Sequence, residues 1–342
     1  MAKLKPMLHK WGAATLYHLR QPITLDEVDQ VPAWKLPSKT QSGSIGLLPI
    51  HDKTKAVRLT AKEGGWFRIR ISTKKPNTSE FNRQVLARIA TLKGKKSGQS
   101  VDYAKLLKKE FASIQDEVRA DMMPTTQPGH NDVDVMFLGD WFVITNASNA
   151  VCDRITKYLK EKLNNFVVTV AKASGEDPLS SVGQSLMESN ALKLDNIELD
   201  NSIKVGTGKS SIACNNTDFL ADDALLQVLR SQDKVHSMGI CWGSDKKANA
   251  ADVTCKVRSD FTLSSIKLNE NKAYNTDTEG DNTDDLSYLV NMQRALFFMK
   301  NIPLVINDIA IHDHGLAPLP EMPQQQVADL DSARKKKAAK KK

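Results

Sequence analysis

The sequence predicts an α+β fold of mixed sheets and long helices, and three observations carry that expectation. Residues 66–71 and 133–145 alternate apolar and polar side chains with the period of two that marks half-buried strands. Apolar stripes at helical spacing run through Phe81, Val85, Ile89 and Leu92, through Tyr103, Leu107, Phe111, Ile114 and Val118, and through Val151, Ile155, Leu159 and Leu163. The two kinds of signal follow one another without regular βα alternation, which argues against a doubly wound parallel sheet. A chain of 342 residues, 40% of them hydrophobic, has the apolar surface for a substantial core, so global disorder is excluded.

Taken in order, residues 11–19 (WGAATLYHL) are strand-compatible and are stopped by Gln21-Pro22. Ile23-Thr24-Leu25 leads into a short acidic turn or helix over 26–30, and Pro32, Pro37 and Ser42-Gly43-Ser44 mark a loop-rich stretch. Val57-Arg58-Leu59 and the run 66–71 (WFRIRI) are strands separated at Gly64-Gly65, and the alternation puts Arg68 and Arg70 on one side of the sheet. After Pro76 a helix opens, capped by Asn77 or Thr78 with Glu80 in its first turn. The basic, glycine-containing run 93–100 turns the chain into a second helix over 101–120, giving a helical hairpin with a positive tip. Gly139-Asp140 closes a β-hairpin, Ser148 or Asn149 starts the helix that ends near Leu163, and 166–171 (FVVTVA) reads as a buried strand.

The second half is less legible. The polar, Gly/Ser-rich stretch 173–184 is expected to be a boundary, 222–230 a helix and 235–242 a strand. Residues 253–257 and 261–268 form a hairpin closed at Arg258-Ser259-Asp260; 269–285 is an acidic loop and 286–299 a helix with Leu289, Met292, Leu296 and Met299 in register. The expected organisation is a basic α+β domain over 1–172, a second α+β region over 173–315, and a disordered Pro/Gln-rich linker and lysine tail over 316–342.

No apolar run reaches the roughly 18–20 residues that span a bilayer, and Met1-Ala2-Lys3-Leu4-Lys5-Pro6 lacks the features of a signal peptide. The expected compartment is therefore the cytoplasm, with no membrane partner. Cys152, Cys214, Cys241 and Cys255 match no CxxC zinc spacing and read as reduced, buried thiols. The net charge of +8 is unevenly distributed. Residues 53–119 hold 17 Lys/Arg against 6 Asp/Glu, and 334–342 add seven more positive charges, leaving about −10 for the rest. Such segregation is the footprint of a surface that faces a polyanion, most commonly nucleic acid.

The chemical motifs are weaker. Gly206-Thr207-Gly208-Lys209-Ser210 resembles a phosphate loop, but Ile203 stands where the first glycine is required and Cys214-Asn215-Asn216 follows in place of a helix, so it reads as a polar turn. Asn275, Asp277, Glu279 and Gly280 imitate half an EF-hand loop whose twelfth position is Leu286 instead of glutamate. His312-Asp313-His314 lacks the further ligands a metal needs, and no cofactor is expected. Asp132, Asp134 and Asp140 are the one carboxylate set that a metal-dependent nuclease would use, because paired carboxylates hold a metal that activates water.

The order of these features resembles the RdgC family of recombination-associated proteins. WGAATLYHLRQPITL is similar to that family's first strand and turn, and Leu47-Leu48-Pro49 occupies the place of its Gly-Trp-Val-Pro segment without the tryptophan. FNRQVLARIATLK (81–93) resembles its first long helix and IQDEVRADMM (114–123) a helix end. The hairpin 133–145, the helix after Val151 and FVVTVA follow in the family's order; the stretches 217–242 and 261–268 follow its later half more loosely. The resemblance implies a ring-shaped homodimer whose positive hole encircles duplex DNA without sequence preference and limits recombinase access; it supplies no catalytic residues. The chain departs from the family at Asn215-Asn216, where a basic pair is usual, at Pro124-Thr125-Thr126-Gln127-Pro128, and in its added lysine tail.

The resulting expectation is a non-enzymatic, nucleoid-associated protein that binds DNA regardless of sequence. Arg68, Arg70, Lys74, Lys75, Arg83, Arg88, Lys93, Lys95, Lys96, Lys105, Lys108 and Lys109 would neutralise phosphates, with Lys335, Lys336 and Lys337 of the tail adding affinity without base recognition. The alternatives are a metal-dependent DNA exonuclease and a basic adaptor for RNA or an acidic protein.

Overall fold

The structure, a computed structural model, describes residues 5–52, 54–60, 64–95, 103–164, 166–172, 177–188, 193–194, 196–207, 210–215, 223–232, 234–243, 251–280 and 282–311. The fold is α+β. In chain order the elements are β1 (Ala13–Leu19), α1 (Leu25–Asp29), β2 (Gly43–Leu48), β3 (Ala56–Arg58), β4 (Gly65–Lys74), α2 (Thr78–Lys95), α3 (Tyr103–Met122), β5 (Pro128–Leu138), β6 (Trp141–Ile144), α4 (Asn149–Lys162) and β7 (Val168–Val170). They continue as α5 (Pro178–Glu188), β8 (Lys193–Leu194), β9 (Ile197–Thr207), β10 (Ser210–Asn215), α6 (Asp223–Arg230), β11 (Lys234–Trp242), β12 (Val253–Arg258), β13 (Leu263–Leu268), α7 (Glu270–Ala273) and α8 (Thr283–Ile311). No helix is long and apolar enough to cross a membrane among the described residues.

The chain gathers into two compact units, one of residues 1–31, 49–68 and 134–342, the other of residues 32–48 and 69–133. These lines differ from the sequence-based division at 172/173, and the pairing of β1 gives the reason. Ala13 and Ala14 pair with Ser264 and Leu263 of β13, while Thr15 to His18 pair with Ile144 to Trp141 of β6, so one strand ties the first half of the chain to the second. In the larger unit the strands run β10-β9-β11-β12-β13-β1-β6, followed by residues 134–138 of β5 and 65–68 of β4, with the registered pairs antiparallel. Within it Leu16, Trp66, Val143, Ile203, Met238, Ile240, Val257, Phe298, Ile302 and Ile306 share one core cluster, while Leu19, Phe142, Ile144, Ile155 and Leu159 are buried outside that cluster.

Local chemistry sets several element ends. Thr24 and Glu27 close a reciprocal capping box on α1. Gly139, at φ +57, supplies the left-handed residue that the two-residue β5–β6 turn needs. Asn77 caps α2, its Oδ1 accepting from Ser79 N (3.0 Å) and Glu80 N (3.2 Å). In the smaller unit α2 and α3 pack as a hairpin on Val85, Ile114 and Val118, with Phe81, Ile89, Leu92 and Met122 beside them.

Three expectations are corrected. Residues 178–188 are helical, because Asp177 caps them through Ser180 N (3.2 Å) and Leu179 and Val182 are fully buried. The strand within FVVTVA is short and pairs only with β1 among the described residues, leaving Val170 exposed; burial falls on the flanking Phe166 and Ala171. The last helix does not end near Met299 but continues through Pro303 to Ile311. Proline inside a helix costs about 3 kcal/mol. Ile302, Val305, Ile306 and Ile309 are all fully buried, and each contributes roughly 1.5–3 kcal/mol, which outweighs that cost.

Candidate nucleic-acid interface

The cations singled out in the sequence divide by what holds them. Arg68 is internal to the larger unit. Its Nε donates to Asp134 Oδ1 (2.8 Å) and its Nη2 to Asp134 Oδ2 (3.1 Å), which also accepts the Trp11 indole N–H (2.7 Å). His9 lies against the same guanidinium, with ring nitrogens 3.1 and 3.2 Å from Nη2. Burial, and next the Arg68 charge, push the His9 pKa below its ordinary value. From α8, Arg294 binds Glu270 through two 2.9 Å bonds and donates to His9 O (2.9 Å), while Asn291 accepts from His9 N and donates to Met7 O. Arg68 thus belongs to a buried polar cluster that fastens residues 7–11 to α8.

In the smaller unit Arg70 makes two 2.6 Å bonds to Asp132 and sits over the Trp34 ring, 5.1 Å from its centroid. That hydrogen-bonded carboxylate raises the Arg70 pKa further. Lys74 is 7% exposed and directs Nζ at three backbone carbonyls, Ser38 (2.8 Å), Met123 (3.3 Å) and Lys39 (3.4 Å). Of these bonds the one to Met123 is buried and the other two are part-buried, so the ammonium is engaged by the backbone on the inner side of β4. Arg83 pairs with Glu80, holding that carboxyl down at about 2, and Arg88 bridges Glu117 (2.9 Å) and Asp121 of α3. Lys75 is exposed and has no side-chain partner among the described residues.

The remaining hairpin cations follow one another in sequence. Lys93 and Lys95 end α2, and Lys105, Lys108 and Lys109 lie in the first turns of α3. Lys96 lies outside the described residues, as do Lys335, Lys336, Lys337 and His312-Asp313-His314. The run 93–109 contains six lysines and one aspartate. Further down the hairpin the arginines meet acids: Arg83 with Glu80, Arg88 with Glu117 and Asp121, Arg119 with Asp116 (3.1 Å). By sequence, the excess of positive charge in the hairpin therefore falls on 93–109.

The carboxylates weighed for metal chemistry are differently placed. Asp132 accepts from Arg70 and Asp134 from Arg68 and Trp11, while Asp140 is exposed in the β5–β6 turn, its backbone carbonyl accepting from Leu19 N (2.7 Å). Among the described residues no three His, Cys, Asp or Glu side chains gather as a metal site. Asn275 of the EF-hand-like stretch instead accepts from Asp277 N (3.0 Å) and is held to α8 through Gln293. Thr207 pairs with Ser210 where β9 turns into β10; Gly208 and Lys209 are outside the described residues. All four cysteines are free and buried.

Sequence reasoning also passed over a basic helix face. Lys157, Lys160 and Lys162 of α4 are exposed, and the first two line a cavity of about 380 Å³ with Phe166, Val167 and Val168. The signal was present in the i, i+3 spacing of 157 and 160 off the apolar stripe. A comparison with protein-family models finds no match, and a comparison with curated proteins finds none either.

Proposed function

We propose that this chain is a non-enzymatic protein that binds DNA without sequence preference, using the connecting end of the α2–α3 hairpin to grip the phosphate backbone. The observation that carries the reading is the uneven charge of that hairpin: acids neutralise Arg83, Arg88 and Arg119, whereas 93–109 concentrates six lysines around one aspartate. Lysine on a helix end or turn reads charge and not base identity, so affinity comes from released counterions. The resemblance to the RdgC family supports a finer version, in which a homodimer encloses duplex DNA and restricts a recombinase in the nucleoid. In this account Arg68, Arg70 and Lys74 are engaged inside the fold and Arg83 and Arg88 in ion pairs with nearby acids, so the phosphate contacts are assigned to the lysines of 93–109.

Fluorescence anisotropy with unrelated duplexes tests it. Replacing Lys93, Lys95 and Lys96 together by glutamine is expected to weaken all duplexes by the same factor. Sequence-dependent losses would point to base readout, and unchanged affinity would refute the hairpin site.

A further inference from the structure

The sheet of the larger unit carries a second, independent feature on β9, β11, β12 and β13. A cavity of about 390 Å³ is lined by Asp200, Ser202, Gly239, Thr254, Lys256 and Lys267, with Asn215, Cys255 and Ser265 completing it. Two ladder irregularities border it. The β11–β9 register shifts between Met238 and Ile240, at Gly239, and the β12–β13 register shifts between Thr254 and Lys256. Opposite that second shift Ser265 adopts φ +52, a conformation uncommon outside glycine. Bulges of this kind re-aim side chains and concentrate beside binding sites.

Gly239 forms an open floor. A Cβ there would collide with Ser202 Oγ and stand 3.3 Å from Asp200 Oδ2, so the glycine lets both groups lie over the strand. Asp200, Lys256 and Lys267 all line the cavity, yet among the described residues none of the three side chains makes an ion pair or a hydrogen bond. Opposite charges around one cavity that do not pair with each other leave both signs to a guest. Burial pushes the Cys255 thiol far up, so its chemistry is that of a wall.

We propose that this cavity binds a phosphorylated sugar, with the phosphate on Lys256 and Lys267 and a sugar hydroxyl donating to Asp200. Two ammonium groups match a phosphate dianion, and the Ser202, Thr254 and Ser265 hydroxyls add donors and acceptors. The volume lies at the lower end of the roughly 300–1,000 Å³ of small-molecule sites. The inference uses none of the residues assigned to DNA and stands or falls separately.

Isothermal titration of the full chain with ribose 5-phosphate, inorganic phosphate and ribose tests it. Saturable binding of ribose 5-phosphate is expected, weakened at least about tenfold in Lys256→Gln/Lys267→Gln, one charge-assisted bond being enough for that factor. Asp200→Asn is expected to weaken ribose 5-phosphate by about the same factor while leaving inorganic phosphate no weaker. Urea midpoints equal to the parent's establish that both variants are folded. Absence of saturable binding, binding that survives the double lysine replacement, or inorganic phosphate binding as tightly as ribose 5-phosphate would each overturn the proposal.

Discussion

Replacing Asp134 by alanine separates a structural carboxylate from a chemical one. The side chain is 8% exposed and its partner Arg68 15% exposed, so the change strands a guanidinium that has little access to water. Removing one member of a buried pair costs about 3–5 kcal/mol, and the residual exposure of Arg68 favours the lower end. The Trp11 indole, on a residue 5% exposed, loses its acceptor as well, at about 1 kcal/mol. Together these give about 4 kcal/mol, which at a urea slope of about 3 kcal/mol/M or more lowers the unfolding midpoint by roughly 1 M. Urea unfolding followed by circular dichroism at pH 7 measures this. Arg68→Met/Asp134→Leu, which leaves no lone charge, is expected to recover most of the loss. A midpoint for Asp134→Ala at or above the parent's would refute the reasoning, because that is how a strained catalytic carboxylate behaves when removed.

Three further outcomes are expected. His9 and His18 both have pKa values lowered chiefly by burial, so just below pH 6.5 the unfolded chain binds protons that the folded one does not. Stability should therefore fall as the pH drops from 7.5 to 5.5, and the fall should shrink in His9→Gln/His18→Gln; an unchanged slope in that variant contradicts the assignment. Lys74→Met should cost about 1–3 kcal/mol by removing the donor to the Met123 carbonyl in a buried bond, yet leave DNA affinity at the parental value, as anisotropy would show. End-labelled duplex incubated with Mg²⁺ or Mn²⁺ should stay full length; shortening that Asp134→Ala abolishes would favour the nuclease.

What the sequence made legible was local. The α2 and α3 stripes, the Gly139-Asp140 turn and the β12–β13 hairpin each lie within a short window whose periodicity and turn residues agree. Where packing between distant segments decides, the reading failed. The expected helix 286–299 stops short of Ile302, Val305, Ile306 and Ile309, which carry α8 past Pro303 because they are buried in a core shared with strands distant in sequence. The strands β9 and β10 escaped notice because Asn201-Ser202 interrupts the alternation of Ile197, Leu199, Ile203 and Val205.

The same limit governs the candidate interface. Arg68 and Arg70 were correctly placed two apart on a strand, but Asp132 and Asp134 are also two apart on a strand, and nothing local says that these strands supply each other's partners. Lys74 and Lys75 are chemically identical neighbours, one buried against carbonyls and one exposed, as alternation along the end of β4 allows.

The salt dependence of duplex binding tests the central claim most directly. With about six lysines of 93–109 on phosphates, log Kd plotted against log salt should rise with a slope near 5, falling to roughly half when Lys93, Lys95 and Lys96 become glutamine. A slope near zero, or one that the triple replacement leaves intact, would contradict an electrostatic grip by the hairpin.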